Sequence, residues 1–290
     1  MKIEAARSMY LRPNTLKEAC DLLAERPAQI LSGGTDIYPA LVDRPSPEAV
    51  LDISGIDGLR GVEQGGREIR IGARTTWSEL ARADLPPAFD ALRAAAREVG
   101  SVQIQNVATI AGNLCHASPA ADGVPPLLIL DAQIELASRT GLRRLPLSDF
   151  VLGNRRTARR PDEILSAVIV PRASAGGCSA FVKLGSRRYL VISIAMVAVR
   201  LAADGGSRIR EAAVAVGSCS AAAQRLGALE RDLVGRSWHE DLASLVTGRH
   251  LAPLSPIDDV RGSAAYRLEA ARELIGRALD LCRPERAHAA

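Results

Sequence analysis

The sequence predicts an α+β protein of two packed domains, and three observations carry that prediction. Short apolar, β-branched segments recur along the chain, helical periodicity is confined to a few stretches between and after them, and one patternless run of small residues divides the chain. At 290 residues and 47% hydrophobic content the chain is long enough for two cores, and its 24% charged content is that of an ordinary folded protein.

Taken in order, residues 15–25 place Leu16, Ala19, Cys20 and Leu23 at helical spacing, and Ile30-Leu31 reads as a strand after a proline-containing turn, which makes an αβ unit. Val50-Leu51-Asp52-Ile53 and Ile69-Arg70-Ile71 read as short strands. Thr76-Trp77-Ser78-Glu79 has the form of a capping box that opens a helix, and a second helix is expected from about Pro87 to Val99, ended by Gly100. Strands are expected at Gln133 to Ala137, Ile164 to Val170, Phe181 to Leu184, Val191 to Leu201 and Ala212 to Val216. Between Pro171 and Ser179 the chain has neither periodicity nor a large side chain, so the domain boundary is expected there. The chain should finish in an amphipathic helix through Tyr266, Ala271, Leu274, Ile275, Ala278 and Cys282. Asp258 and Asp259 are expected to cap that helix before Ser263 rather than share a site.

Composition excludes several classes of function. The longest apolar run, Tyr189 to Val199, stops at Arg200 and is too short to span a bilayer, and the first residues offer no extended apolar signal region, so a cytoplasmic protein is expected. The five cysteines, Cys20, Cys115, Cys178, Cys219 and Cys282, stand singly, without the paired spacing of zinc or iron–sulfur ligands. No metal and no disulfide framework is expected, with Cys115 the one thiol kept open for a role. Net charge is +4 and almost every cation is arginine, with Lys2, Lys17 and Lys183 the only lysines. The clusters Arg155-Arg156, Arg159-Arg160 and Arg187-Arg188 lack an aromatic stacking platform, since only 3% of residues are aromatic, so they read as solvated or partner-facing surface rather than a nucleic-acid site.

The most informative segments are Ser32-Gly33-Gly34-Thr35-Asp36 and Thr109-Ile110-Ala111-Gly112-Asn113, each of which sets glycine among small polar residues. Glycine lets successive N–H groups converge on an anion that larger residues would hold away. Neither segment is Gly-x-Gly-x-x-Gly or a Walker loop, so the nicotinamide and P-loop folds lose their fingerprints. Two such loops suit a ligand with a pyrophosphate at its centre, each supplying amides to one side. The second runs on through His116, Ser118 and Asp122. On residue type alone, His116 is more often a structural histidine, Asp122 before Gly123 a turn former, and Lys183 an exposed strand residue.

These motifs resemble the FAD-binding medium subunit of the molybdenum hydroxylases, a family that includes carbon monoxide dehydrogenase, xanthine dehydrogenase and 4-hydroxybenzoyl-CoA reductase. The resemblance starts at Tyr10-Leu11-Arg12-Pro13, runs through Leu31 to Asp36, and is strongest from Gln105-Asn106 to Asp122. It continues through Arg144 to Phe150, Glu163-Ile164-Leu165 and Phe181-Val182-Lys183, and ends at Asp259-Val260-Arg261-Gly262-Ser263-Ala264-Ala265-Tyr266-Arg267.

The resemblance implies a two-subdomain FAD-binding fold of the vanillyl-alcohol-oxidase type over residues 1–172, divided near residue 60, and a C-terminal sheet-plus-helices domain over 177–284. It implies that Leu31, Ser32, Gly33, Gly34, Thr35, Asp36 and Ile37 wrap the pyrophosphate from one side, and Ala108, Thr109, Gly112 and Asn113 from the other. His116, Ser118 and Asp122 would meet polar groups of a noncovalent FAD, Val99, Ile164 and Leu165 would form apolar walls, and Lys183 would reach the cofactor from the second domain. Where relatives often carry Gly-Gly-Asn this chain has Ala111-Gly112-Asn113, so a positive φ is expected at Gly112 alone. The implied role is a flavoprotein oxidoreductase subunit with no catalytic side chain of its own. It would take electrons from [2Fe–2S] clusters of a small subunit, ultimately from a large molybdopterin subunit, and pass them to NAD, quinone, oxygen or a carrier within a heterohexamer. Residues Lys183 to Arg188 are the expected surface near the iron–sulfur partner or the flavin opening. A self-sufficient flavin oxidoreductase and a nonredox nucleotide-binding module are the alternatives.

Overall fold

The computed structural model describes residues 9–42, 47–187, 190–205 and 207–283. Three larger sheets follow one another along the chain. The first joins β1 (Met9–Leu11), β2 (Gln29–Leu31) and β3 (Ala49–Asp52) in the order β1-β3-β2, all parallel. α1 (Leu16–Glu25) carries the chain from β1 to β2, the parallel strands on either side of β3, and is started by the Thr15 hydroxyl accepting from the Glu18 amide. Ala19, Cys20 and Leu23 turn its apolar side into the core around Leu51 and Ile53.

The second sheet is antiparallel. Its strands are β4 (Val62–Gln64), β5 (Glu68–Gly72), β6 (Gln133–Ser138) and β7 (Gly141–Pro146), and, after a hairpin of β8 (Val151–Gly153) and β9 (Arg156–Thr157), β10 (Ile164–Pro171). The order β4-β5-β10-β6-β7 makes β10 the central strand, buried on both faces, which is why it reads as an unbroken apolar run. The helices α2 (Ile37–Ala40), α3 (Trp77–Arg82), α4 (Asp90–Glu98), α5 (Val102–Gln105), α6 (Ile110–His116), α7 (Val124–Leu128) and α8 (Leu147–Phe150) lie outside these sheets. The capping box at Thr76 and Glu79 is present as expected. The helix expected from Pro87 resolves into a short 3-10 turn, Pro87–Phe89, followed by α4.

The third sheet, β11 (Cys178–Leu184), β12 (Ala195–Ala203), β13 (Ile209–Gly217) and β14 (Gln224–Arg225), pairs antiparallel in chain order. It packs under α9 (Gly227–Leu233), α10 (Gly248–Leu251) and α11 (Ala264–Leu281), whose Ala271, Leu274, Ile275, Ala278 and Leu279 are buried.

Two expectations need correction here. The strand expected from Val191 begins only at Ala195: Ile194 still donates to the Leu184 carbonyl of β11, but the Ser193 hydroxyl turns to Asp122 and the carbonyls of Ser193 and Ile194 accept from Arg261 and Arg267. The patternless run after Pro171 is not a free linker. Ser174 donates to Asp131 just ahead of β6, the Gly176 carbonyl accepts from Arg200 Nη1 of β12 at 3.2 Å, and the Ser179 hydroxyl accepts from the Ala91 amide at 2.9 Å, so the run is fastened on both sides. Asp258 does cap α11, accepting from the Ala264 amide at 2.5 Å, while Ser263 accepts from Tyr266; Asp259 instead faces Arg261 and Arg267.

Candidate cofactor site

A cleft of about 520 Å³ opens between the first and second sheets, a size suited to a small molecule or cofactor. Its floor is the junction of the two glycine segments. Gly33 lies so close to the other segment that a Cβ there would stand 2.0 Å from the Val107 carbonyl oxygen, and Gly34 has φ +72, with a Cβ 2.5 Å from the Tyr38 ring. Only glycine satisfies both positions. Among the described residues the amides from Gly33 to Asp36 have no hydrogen-bond partner, so this segment presents a row of free N–H donors.

The second segment is built differently from the expectation. It is helical, opened by Thr109, whose hydroxyl accepts from the Gly112 amide at 3.1 Å. Ile110 donates to Thr75, Ala111 to Ala73 and Asn113 to Thr109, so these amides are already engaged. Gly112 has no positive φ; it sits inside α6 like Ala111, and a Cβ there would meet only Thr109 Oγ1 at 3.1 Å. What α6 offers the cleft is side chains. Asn113 Oδ1 is buried without a partner among the described residues, an acceptor left for something outside the chain. His116 Nε2 lies 2.9 Å from Asp36 Oδ1 and ties the two glycine segments together.

Val99, Ala108, Ile164 and Leu165 line the cleft, together with Ser32, Thr35 and Ile37. Leu31 is buried behind it at the end of β2. Ser118 does not line it either; its hydroxyl accepts from the Ala120 amide and shapes a turn. Asp122 and Lys183 also stand outside the lining and pair with each other at 2.7 Å, where Asp122 in addition accepts from Ser193 at 2.8 Å. Burial pushes the Asp122 carboxyl up, against the pull of Lys183 and Ser193. The pair remains a neighbour of the cleft, because Gly123, the next residue, packs against Trp77 and Asn113 of the cleft wall. The Lys183 side chain is therefore buried rather than exposed, and Arg188 of the segment expected near the partner or the flavin opening lies outside the described residues.

Other lining residues escaped the sequence. Arg155 and Arg159, expected on a solvated or partner-facing surface, line the cleft with Thr157; the Arg155 amide donates to the Ala117 carbonyl at the end of α6 and docks the β8–β9 hairpin there. Trp77, visible only as part of a capping box, forms wall with Ile53 and Ile104. Cys115 also lines the cleft, but burial pushes its thiol up to about 11, which leaves it protonated and a poor nucleophile at neutral pH. The residues fit a dinucleotide: free amides and glycines too crowded for a side chain on one wall, an orphan acceptor and an imidazole on the other, apolar walls between.

Residues 2–173 match the FAD-binding domain of molybdopterin dehydrogenases, and residues 180–281 match the carbon monoxide dehydrogenase flavoprotein C-terminal domain. The chain belongs to the FAD-binding subunits of the molybdenum hydroxylase family. Within this family it is 31% identical over 283 residues to the nicotine 6-hydroxylase medium subunit of Paenarthrobacter nicotinovorans, an alignment covering 96% of this chain and 98% of that one. It is 39% identical over 193 residues to the nicotinate dehydrogenase FAD-subunit of Eubacterium barkeri, covering 64% of this chain and 65% of the relative. A solved chain of reconstituted CO dehydrogenase from Oligotropha carboxidovorans superposes with a TM-score of 0.88 at 27% identity, covering 95% of this chain and 97% of the other. An FAD-binding subunit of this family is an oxidoreductase component, and the expected mixed fold with an FAD-binding region and a C-terminal domain is met.

Proposed function

We propose that the chain is the electron-transfer flavoprotein of a multisubunit molybdenum hydroxylase. It would hold a noncovalent FAD, receive electrons from iron–sulfur clusters of a small subunit that drains a large molybdopterin subunit, and deliver them to an external acceptor. The observation that carries this reading is the glycine junction, where the free amides from Gly33 to Asp36 and the orphan Asn113 oxygen line one cleft. Bound FAD would supply the redox chemistry. The chain's own residues bind and orient: the first glycine segment with Thr35 takes the diphosphate, Asn113 and the His116–Asp36 pair take polar groups, and Val99, Ile164 and Leu165 exclude water. The reading extends to a heterohexameric assembly working in the cytoplasm and to residues 1–172 and 177–284 as its domains.

Titration of the apoprotein with FAD and with FMN tests the binding. FAD should bind at least about a hundredfold more tightly, since FMN lacks the diphosphate bridge and the adenosine beyond it. Equal affinity would refute the site. Acid denaturation should release the flavin from the protein, as the protonated Cys115 thiol implies. Copurification with a large and a small subunit, followed by flavin bleaching on addition of the complex's substrate, tests the electron path.

A further inference from the structure

The turn from Ser118 to Asp122 is gripped by the third sheet's surroundings at three points. The Ser218 amide donates to the Pro119 carbonyl at 2.9 Å, Lys183 Nζ donates to Asp122 Oδ2 at 2.7 Å, and Ser193 Oγ donates to Asp122 Oδ1 at 2.8 Å. Two of these grips, Ser193 and Ser218, sit off the strands, ahead of β12 and just past β13. Ser218 moreover has φ +63, a left-handed conformation that a non-glycine residue keeps only when its surroundings enforce it.

One side chain holds Ser218 and the residue after Ser193 from behind. Arg267, 1% exposed in the first turn of α11, donates through Nη1 to the Ile194 carbonyl at 2.7 Å and to the Ser218 carbonyl at 3.3 Å. Its Nη2 donates to Asp259 Oδ1 at 2.6 Å, while Asp259 Oδ2 accepts from Arg261 Nη2 at 2.6 Å and Arg261 Nη1 reaches the Ser193 carbonyl at 3.2 Å. The neighbouring guanidiniums hold the Asp259 carboxyl far below the usual carboxylate range. Burying a guanidinium costs several kcal/mol of desolvation, and Arg267 does so with its Nε unpartnered among the described residues. An apolar residue would pack α11 on β12 at less cost, so helix packing alone does not account for the cluster.

We propose that Arg267, Asp259 and Arg261 form a positioning device that fixes the Asp122–Lys183 pair beside the cofactor cleft. The start of the C-terminal helix thereby sets the electrostatic surroundings of the bound flavin. The inference rests on the FAD-binding reading above.

The test uses the full chain and four variants: Arg261→Ala, Arg267→Lys, Ser193→Ala, and Arg277→Ala on the exposed side of α11 as control. FAD affinity, the visible absorption bands of the bound flavin and the Tm of the apoprotein are measured for each. Arg261→Ala, Arg267→Lys and Ser193→Ala should each weaken FAD binding by about tenfold and shift the flavin bands in the same sense, because each loosens the same carboxylate. Arg277→Ala should leave all three readouts unchanged. If the first three lower only the apo Tm, with affinity and bands as in the parent, the cluster is purely structural and the proposal fails. Should Arg267→Lys fail to fold, Arg261→Ala, whose side chain is partly exposed, decides the matter alone. A parent chain that binds no FAD would refute the proposed function, whereas a parent that binds it with silent variants would refute this inference only.

Discussion

At the scale of single residues, the two glycine segments look alike in sequence and differ in what they tolerate. Gly33→Ala would drive a methyl into the Val107 carbonyl, so the loops must part; a loss of about 1–3 kcal/mol in stability and of most FAD affinity is expected by thermal unfolding and flavin titration. Gly112→Ala should be neutral or stabilising by up to about 1 kcal/mol, because that position is helical and alanine is the better helix former. Asp122→Ala is expected to weaken FAD binding and also to destabilise the apoprotein by about 3–5 kcal/mol, since it strands the buried Lys183 ammonium. The sequence makes Asp122 legible as a residue of interest but not as half of an ion pair, because Asp122 sits in a turn and its partner lies 61 positions away on β11. Residue type likewise conceals Arg155 and Arg159, whose place in the cleft comes from how the β8–β9 hairpin docks on α6.

At the scale of elements, strands with an apolar run or apolar alternation are legible, and the arginine-rich β7 is not. β10 stands out as a continuous apolar run, whereas β7, Gly-Leu-Arg-Arg-Leu-Pro, hides because its arginines are recruited by carboxylates rather than by solvent alone. Arg144 reaches Glu135 and Glu68, and Arg143 reaches Glu163. Burial pushes the Glu135 and Glu163 carboxyls up, but hydrogen bonds from Arg144 and Ser166 to one and from Arg143 to the other prevail, and both end below their ordinary 4.5. Carboxyls depressed in the folded state contribute stability above the unfolded value and lose it as pH falls through the folded one. Stability measured by denaturant titration should therefore decline as pH drops below about 4.5, and Glu163→Gln should flatten that decline while costing about 1–3 kcal/mol at neutral pH. α6 was missed as a helix for a different reason: Gly112 and Asn113 are weak helix formers, and the turn is held by Thr109 and by contacts to Ala73 and Thr75.

At the scale of the whole molecule, the division into sheets is readable from the patternless run after Pro171, but the strength of the junction is not. Arg200, almost fully buried on β12, donates to the Ile129 and Gly176 carbonyls, and Arg225 donates to the Leu128 carbonyl and Asp131. Ala198, Ala213 and Ala215 of the third sheet belong to the same core as the second. Arg200→Ala is accordingly expected to lower Tm and speed protease cleavage near Gly176 more than any change on the outer side of α11.

The fastening of the run after Pro171 also bears on how this chain can be recombined. Ser179 starts α4 from across the boundary, by accepting from the Ala91 amide. A chimera that joins residues up to 176 to the C-terminal part of a relative would therefore have to import a matching hydroxyl, a matching guanidinium for Ile129 and a matching grip on Pro119, all at once. Shuffled libraries cut at this seam should yield few folded members unless the contacting positions travel as a set.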